Sequence, residues 1–271
     1  MTTQYMTHQS GRIAYDVAGA GPLVLCAPSM GDVRAEYRLL TPLLVDAGYR
    51  VVTMDLRGLG ESSAAWEDFS VAGIGSDMLA LIRHLDSGPA VLVGASMAAG
   101  AAVWAAAEAP ELVAGLVLIG PFVRGETSAT NALLYSLLFN RLWGVQAWQW
   151  YYSTLYPTHK PADFAAYRAA LGVNLKEPGR LAALQAMMRA SKAAAAERVG
   201  KVSTQALILM GSKDPDFAKP EEEAGWVANA IGGRYVMVDG AGHYPHAEMP
   251  EVSAPLITEF LQAVRAVHHV A

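Results

Sequence analysis

The stretch from Val91 to Gly100 reads Val-Leu-Val-Gly-Ala-Ser-Met-Ala-Ala-Gly, and it decides how the rest of the chain is interpreted. Its first residues continue from Ala90 as an apolar run rich in Val and Leu, which predicts a buried strand. The Ala-rich run from Ala98 to Ala107 predicts a helix, because Ala has the highest intrinsic helix propensity. The sequence therefore predicts a tight strand-to-helix turn of small residues with one hydroxyl, that of Ser96, at its apex.

This turn approximates the pattern G-x-S-x-G, in which a sharp strand-to-helix turn holds a Ser hydroxyl out at the edge of a sheet. Gly94 and Ala98 lie two residues before and after Ser96. Small side chains are needed at both positions because the strand and the helix nearly touch as the chain reverses. Ala98 replaces the second Gly of the pattern and adds one methyl group. The alternative interpretation is ordinary packing of a Ser among small residues.

Length and composition predict one large domain, or a core with an inserted subdomain. The chain has 271 residues, of which 53% are hydrophobic and 17% charged, so it can bury a substantial core. A net charge of −5 argues against a nucleic-acid surface or an anionic membrane surface. The single cysteine, Cys26, excludes an intramolecular disulfide and a Cys-based metal site. Its position late in an apolar run predicts a buried, unreactive thiol.

Two segments of the sequence bear on the cellular compartment and on insertion into a membrane. The N-terminus has no apolar signal-peptide core, which predicts a cytoplasmic protein. The run from Ser87 to Ala107 has no charge and is long enough to span a bilayer. Because Gly, Pro and Ser interrupt it and Ala dominates it, we interpret this run as a strand, a turn and a buried helix.

Strand and helix patterns alternate along most of the chain. Strands are predicted at Gln4 to His8, Arg12 to Val17, Leu23 to Ala27, Arg50 to Met54, Ala90 to Val93, Leu112 to Ile119, Ala206 to Met210 and Arg234 to Val238. Helices are predicted at Glu36 to Ala47, Ile74 to Leu85, Ala98 to Ala107, Pro220 to Ile231 and Pro250 to Val267. This alternation, with strands that are continuous apolar runs, predicts an α/β fold with a mostly parallel sheet covered by helices on both faces.

The alternation stops after Gly120-Pro121. Residues 128–199 contain no convincing strand and are dense in Leu, Ala, Trp and Tyr, which indicates several helices. Because the sheet needs the later strands, we predict an inserted helical cap rather than a separate domain. The predicted division is a first part of the core at 1–122, the cap at 123–203 and a second part of the core at 204–271.

Three residues with complementary chemistry each directly follow a predicted strand: Ser96, Asp214 and His243. A Ser hydroxyl is a weak nucleophile near neutral pH, so it needs a base, and the base needs an orienting carboxylate. The carboxyl ends of parallel strands lie at one edge of a sheet, where ligands bind. The order Ser, Asp, His therefore predicts a catalytic triad. His246 is an alternative base, and Asp216 is an alternative acid.

Acyl transfer also needs donors aimed at the developing oxyanion. The backbone N–H of Met97, at the start of the predicted helix, is one candidate. The second should come from the loop after the strand ending at Ala27. We expect the N–H of Ser29 to serve, with Met30 as the fallback, because Pro28 has no N–H.

Four segments together resemble the α/β-hydrolase superfamily, and the resemblance covers nearly the whole chain. They are Gly94-Ala95-Ser96-Met97-Ala98, Asp55-Leu56-Arg57-Gly58-Leu59-Gly60-Glu61-Ser62, Gly211-Ser212-Lys213-Asp214-Pro215 and Gly240-Ala241-Gly242-His243. The resemblance implies an eight-stranded sheet, a cap over the active site, and Ser96 as nucleophile, Asp214 as acid and His243 as base. Two features depart from the pattern: Ala27-Pro28 stands where His-Gly is common, and Ala98 replaces a Gly. Ser rather than Asp as nucleophile disfavours dehalogenases and epoxide hydrolases.

These observations predict a serine hydrolase that cleaves a small, fairly hydrophobic ester or lactone through an acyl-enzyme, with no metal or organic cofactor. Trp and Tyr residues of the cap, with Met187 and Met188, are candidates for lining the pocket, although they can equally form the core of the cap. Hydrolysis of a carbon–carbon bond or a thioester, and peracid chemistry, are alternatives on the same triad. A small-ligand receptor with little turnover and a partner-interaction module are alternatives from other classes. The expected partner is a small-molecule substrate, and a homodimer is possible.

Overall fold

The strands lie almost where the sequence predicts them. The computed structural model describes residues 2–125 and 137–268, so residues 126–136 of the predicted cap lie outside the described residues. The strands are Gln4–His8 (β1), Gly11–Ala18 (β2), Leu23–Ala27 (β3), Arg50–Met54 (β4), Ala90–Ala95 (β5), Val113–Ile119 (β6), Ala206–Gly211 (β7) and Arg234–Val238 (β8). They form one sheet of eight strands in the order β1-β2-β4-β3-β5-β6-β7-β8.

The sheet is mostly parallel, as predicted. Strand β2 runs antiparallel to both neighbours, β1 and β4, and every other pairing is parallel. In the central register Leu25 pairs with Val52 on one side and with Leu92 on the other. The carboxyl ends of β3, β5, β6, β7 and β8 therefore lie at the same edge of the sheet.

The helices are Leu40–Asp46 (α1), Val71–Leu85 (α2), Met97–Glu108 (α3), Gly144–Thr154 (α4), Phe164–Lys176 (α5), Arg180–Arg189 (α6), Ala193–Ala196 (α7), Pro220–Ile231 (α8), Pro245–Glu248 (α9) and Pro250–His268 (α10). The single helix predicted from Glu36 to Ala47 is instead a 3₁₀ turn, Arg34–Arg38, followed by α1. Pro42 explains the break. It lacks an N–H and is tolerated in the first turn of a new helix but not in the interior of a longer one. Helix α9 was not predicted, because four residues are too short to show a helical period.

Both faces of the sheet are covered, which explains the uninterrupted apolar strands. Successive side chains of a strand point to opposite faces. Leu25 therefore belongs to the apolar cluster that includes residues of α2, α3 and α8, whereas Val24 and Cys26 belong to the cluster that includes residues of α1 and α10. Cys26 is fully buried as predicted, and burial raises the pKa of its thiol.

Helices α4 to α7 lie between β6 and β7 in sequence, and the described residues of this insertion, 137–201, include no strand. The insertion packs on the core through buried side chains such as Trp148, Leu184 and Met187. The assignment of residues 123–203 to a helical cap stays a prediction. Within the described residues, no helix is both long enough and apolar enough to cross a membrane.

Candidate active site

Ser96 occupies a sharp turn between β5 and α3. Its backbone has φ +55° and ψ −120°, a conformation that side-chain-bearing residues rarely adopt and that is typical of functional turns. Two backbone hydrogen bonds tie the turn to the end of β6. The Ser96 N–H donates to Ile119 O at 2.8 Å, and the Phe122 N–H donates to Ser96 O at 3.2 Å. The neighbouring strand therefore fixes this strained residue in place.

The two small residues around Ser96 have different reasons to be small. A Cβ on Gly94 would lie 2.5 Å from the carbonyl oxygen of Ala98, so a larger residue at position 94 would displace the helix. Ala98 is fully buried within α3, and the turn forms with its methyl group present. The departure from the second Gly of the pattern is therefore compatible with this geometry.

His243 and Asp214 meet on the loops after β8 and β7. A hydrogen bond of 2.7 Å joins His243 Nδ1 to Asp214 Oδ2, and both side chains are buried. The His243 N–H also donates to Leu155 O at 3.0 Å, at the end of α4. Since Nδ1 is engaged by Asp214, Nε2 is the ring nitrogen left to exchange a proton with a reacting group.

Gly120 makes room for this imidazole, a role that the sequence analysis did not assign to it. It has φ +50°, and a Cβ at this position would lie 2.9 Å from two ring atoms of His243. A Gly directly after a predicted buried strand, at the edge where the candidate site lies, is the sequence signal that could have identified it.

The charges around His243 favour its protonated form. Burial disfavours the imidazolium, but the carboxylates of Asp214 and Asp216, with a smaller effect of Glu36, outweigh it and raise the pKa of His243 to about 9. Asp216 Oδ2 lies 3.8 Å from His243 Nε2, the ring nitrogen that Asp214 does not contact. The geometry thus separates the two candidate acids: Asp214 contacts Nδ1, whereas Asp216 faces Nε2.

One group among the described residues has the spacing of metal ligands. Asp214, Asp216 and His243 each offer one ligand atom, and these atoms lie within 4.8 Å of one another. This spacing follows from the contacts of Asp214 with His243 Nδ1 and of Asp216 with His243 Nε2.

Ser29, the predicted oxyanion donor, already has a partner for its N–H. Its N–H donates to Glu36 Oε2 at 2.7 Å, and this buried carboxylate occupies the donor that a substrate oxygen would need. Met30, the fallback, lines the cavity together with Met97, so the N–H groups of these two residues stay the candidates. Glu36, the residue that accepts from Ser29, lies in the 3₁₀ turn Arg34–Arg38. It could not be identified as this partner from the sequence of the loop alone.

Ser96 and His243 line one cavity of about 360 Å³ beneath the inserted helices. A volume of this order suits a small organic ligand. Apolar and aromatic side chains dominate its wall: Met30, Met97, Phe122, Leu138, Phe139, Trp148, Tyr151, Leu155, Met187, Met188 and Tyr244. The charged groups in the wall include Asp216 and Lys192.

The aromatic and methionine residues of the insertion fall into three groups. Trp148, Tyr151, Met187 and Met188 line the cavity. Tyr152, Tyr156 and Tyr167 are buried in a cluster of their own, and Trp143 and Trp150 are exposed.

A family model described as alpha/beta hydrolase fold matches residues 22–250, a range that includes Ser96, Asp214 and His243. The chain belongs to the α/β-hydrolase fold family. This hydrolase is 31% identical to 2-(acetamidomethylene)succinate hydrolase of Mesorhizobium japonicum, over 93% of its own length and 93% of the relative.

Solved structures agree on the fold of the hydrolase. It matches the enol-lactonase from Burkholderia xenovorans LB400 with a TM-score of 0.80 at 20% identity, over 96% of its own length and 100% of that chain. It matches the bromoperoxidase from Bacillus anthracis with a TM-score of 0.83 at 20% identity, again over 96% and 100%. At these identities the two neighbours support the fold alone.

Behind the candidate site of the hydrolase, the loop after β3 is held by a buried group that we call the tyrosine–carboxylate cluster: Asp32, Tyr152 and Tyr167. Tyr152 Oη donates to Asp32 Oδ2 at 2.8 Å, and Tyr167 Oη donates to Asp32 Oδ1. Trp148 Nε1 donates to Gly31 O at 3.2 Å in the same loop. Three side chains of the insertion therefore fix the loop that carries Met30.

This cluster could not be predicted from the sequence, because Asp32 lies 120 and 135 residues from its two tyrosine partners. Burial raises the pKa of Asp32 to about 8, and the charge of Glu36 adds to that effect. Burial also raises the pKa of Glu36 to about 7. An acidic residue in a loop directly after a buried strand is the signal that could have drawn attention to Asp32.

His246, the alternative base, lies elsewhere. Its Nε2 is 3.0 Å from Glu36 Oε1, its ring packs 4.9 Å from that of Tyr37, and it is absent from the residues that line the cavity around Ser96. Burial lowers the pKa of His246 to about 3. The geometry thus favours His243 over His246 as the base.

Proposed function

We propose that this hydrolase is a serine hydrolase that cleaves a small, fairly hydrophobic ester or lactone through an acyl-enzyme on Ser96. The observation that carries the proposal is the hydrogen-bonded Asp214–His243 pair, whose imidazole lines the same apolar cavity as the strained Ser96. A nucleophile, a base and an orienting acid in this order and on this fold are what acyl transfer requires.

In the proposed reaction, the Ser96 hydroxyl attacks the carbonyl carbon while His243 Nε2 takes its proton. Asp214 holds the imidazole through Nδ1 and stabilises the imidazolium that forms. The N–H groups of Met97 and Met30 would bind the oxyanion. His243 then gives the proton to the leaving group, and water repeats the sequence on the acyl-enzyme.

The cavity wall supports the substrate class. Thioether and aromatic side chains adapt to an apolar acyl or alcohol group, and Met is especially adaptable. Asp216, inside the wall, opposes a carboxylate placed next to the reacting carbonyl.

A second candidate follows from the relative named 2-(acetamidomethylene)succinate hydrolase, which is 31% identical. That name describes a compound with two carboxyl groups. Cleavage of a carbon–carbon bond, a thioester or a compound of that kind would use the same Ser96 and His243, so these substrates belong in the first activity panel.

The test is hydrolysis of short p-nitrophenyl esters by the wild type and by Ser96→Ala. We expect the substitution to lower kcat/KM by about a thousandfold or more. The matched control is Ser87→Ala, an exposed Ser just before the opposite end of β5, which should match the wild type. Equal rates in Ser96→Ala and the wild type would refute the serine mechanism.

Two further measurements sharpen the assignment. A fluorophosphonate probe should label Ser96 in the wild type and leave Ser96→Ala unlabelled. Labelling at another residue would overturn the site. A panel of esters, lactones, thioesters, diketones and 2-(acetamidomethylene)succinate then ranks the substrate classes by kcat/KM.

A further inference from the structure

Asp216 is a charged group in the cavity that the proposed reaction does not use. Its Oδ2 lies 3.8 Å from His243 Nε2, the ring nitrogen that must exchange a proton with Ser96. Its side chain is partly accessible from the cavity, at 14%, whereas that of Asp214 is fully buried. This carboxylate therefore lies within a few ångströms of the nitrogen that exchanges the proton, in the cavity that Ser96 also lines.

Two hydrogen bonds hold Asp216 in this position. Its backbone N–H donates to Asp214 Oδ1 at 3.0 Å, which ties the backbone of Asp216 to the Asp214 carboxylate in one turn. Tyr151 Oη, from α4 of the insertion, donates to Asp216 Oδ1 at 2.5 Å. The carboxylate is thus fixed from the loop after β7 and from the inserted helices, and its second oxygen is left pointing towards the imidazole.

The surroundings of His243 are mostly acidic or uncharged. Asp214 and Asp216 face it from the loop after β7, and Glu36 adds its charge from the 3₁₀ turn. The charged and titratable groups contributed by the other elements near the ring are Tyr244 beside it, His246 in α9, and Lys192 in the wall of the same cavity. Phe122 and Phe217 complete the ring contacts.

We propose that Asp216 is a second positioning carboxylate for His243, which stabilises the imidazolium from the Nε2 side and so makes the imidazole a stronger base towards Ser96. This inference rests on the proposed function. The O–H bond of Ser96 breaks, its proton moves to Nε2, and the Ser96 oxygen forms its bond to the carbonyl carbon. Asp216 takes no proton at any step, and the proton on Nε2 goes to the leaving group.

The arrangement has two opposite effects on rate. A raised pKa of His243 means that the free enzyme holds the imidazole protonated at neutral pH, so activity should rise with pH towards a midpoint near 9. At alkaline pH the same carboxylate stabilises the charge that forms in the transition state, so the limiting rate is higher than without it. Removing the charge should therefore make the two pH profiles cross.

The experiment compares the pH profile of kcat/KM for the wild type, Asp216→Asn, Asp216→Glu and Glu222→Gln, on a p-nitrophenyl ester. In Asp216→Asn we expect the midpoint to fall by about one to two pH units, as for the loss of one opposite charge within a few ångströms. This variant should be faster than the wild type at pH 7 and several-fold slower at its alkaline plateau. Asp216→Glu keeps the charge and should keep an alkaline midpoint.

Glu222→Gln removes the same charge from an exposed position in α8, so its profile should match the wild type. Superimposable profiles of Asp216→Asn and the wild type would overturn the inference. A midpoint in Asp216→Glu as low as that in Asp216→Asn would also overturn it, because shape rather than charge would then matter.

A measurement without turnover separates this inference from the proposed function. The pKa of His243 can be followed in the unliganded protein from the NMR signal of its Cε1 proton, assigned with His243→Gln. A fall of about one to two units in Asp216→Asn supports the inference, and an unchanged pKa refutes it. Failure of the proposed function would appear instead as ester hydrolysis that survives Ser96→Ala.

Discussion

The two faces of the sheet and the tyrosine–carboxylate cluster are both buried, but different interactions stabilise them. Every side chain of β5 is buried, and its neighbours on both faces are apolar. Where the insertion meets the loop after β3, a buried carboxylate accepts hydrogen bonds from two tyrosines. The first region depends on the area of apolar surface removed from water, which has no direction. The second depends on placing a few polar atoms correctly.

This difference determines how each region should respond to change. Apolar packing loses free energy in proportion to the atoms removed, because the cavity left behind collapses only in part. A buried polar group loses more from a missing partner than from a change in volume. The stability of the second region should also depend on pH, since the carboxyl group of Asp32 titrates, whereas that of the first should not.

The largest effect is expected in the sheet. Leu92→Ala in the middle of β5 should lower the free energy of unfolding by about 2–5 kcal/mol, because Leu92 is 1% exposed and packed on all sides. Urea unfolding followed by circular dichroism measures this loss. Leu142→Ala is the control, since Leu142 is 81% exposed, and it should change stability by less than about 0.5 kcal/mol. Equal losses in the two variants would show that the burial of Leu92 in the sheet does not contribute to stability.

A smaller effect is expected in the cluster. Tyr167→Phe removes the hydroxyl that donates to Asp32 Oδ1 and should cost about 1–3 kcal/mol of stability. Tyr5→Phe removes a hydroxyl that also donates to a carboxylate, Glu61 Oε2 at 2.7 Å, but on the surface. Because water replaces the exposed bond, Tyr5→Phe should cost less than about 1 kcal/mol. If both variants lose the same free energy of unfolding, burial does not strengthen the hydrogen bond from Tyr167 to Asp32.

The third effect is a change in how stability depends on pH, not a change in stability at one pH. The folded pKa of Asp32 is raised to about 8, above the unfolded value of about 3.9, so the folded protein keeps a proton that the unfolded chain releases. The stability from this group is complete below about pH 4 and is lost as the pH rises through 8, by at most about 1.4 kcal/mol per pH unit.

Asp32→Asn should therefore flatten the fall in stability between pH 5 and pH 8, as measured by urea unfolding at several pH values. Some fall should persist in the variant, because the pKa of Glu36 is also raised, to about 7, and that of His243 to about 9. Asp239→Asn, at an exposed position, should leave the slope of the wild type unchanged. A slope that is the same in Asp32→Asn and the wild type would show that Asp32 does not titrate in this range.

The candidate site shows how far sequence reasoning extends. Ser96, Asp214 and His243 could be selected because each follows a predicted strand, and parallel strands bring their carboxyl ends to one edge. The oxyanion donor could not be selected in the same way. Whether the N–H of Ser29 or that of Met30 points into the cavity depends on the orientation of individual peptide groups in a short loop. The Glu36 carboxylate accepts from the Ser29 N–H and so fixes the orientation of that peptide group.

The sequence by itself determined the strands, their mostly parallel order and the residues at the carboxyl edge of the sheet. Those features follow from apolar runs and small residues that are close together along the chain, so local patterns record them. Only the tertiary structure decided which carboxylate faces which nitrogen of His243, how the insertion holds the loop after β3, and why position 120 must be Gly. These are contacts between side chains far apart in sequence, where shifts of about an ångström decide the partner, and a linear pattern carries no record of such distances.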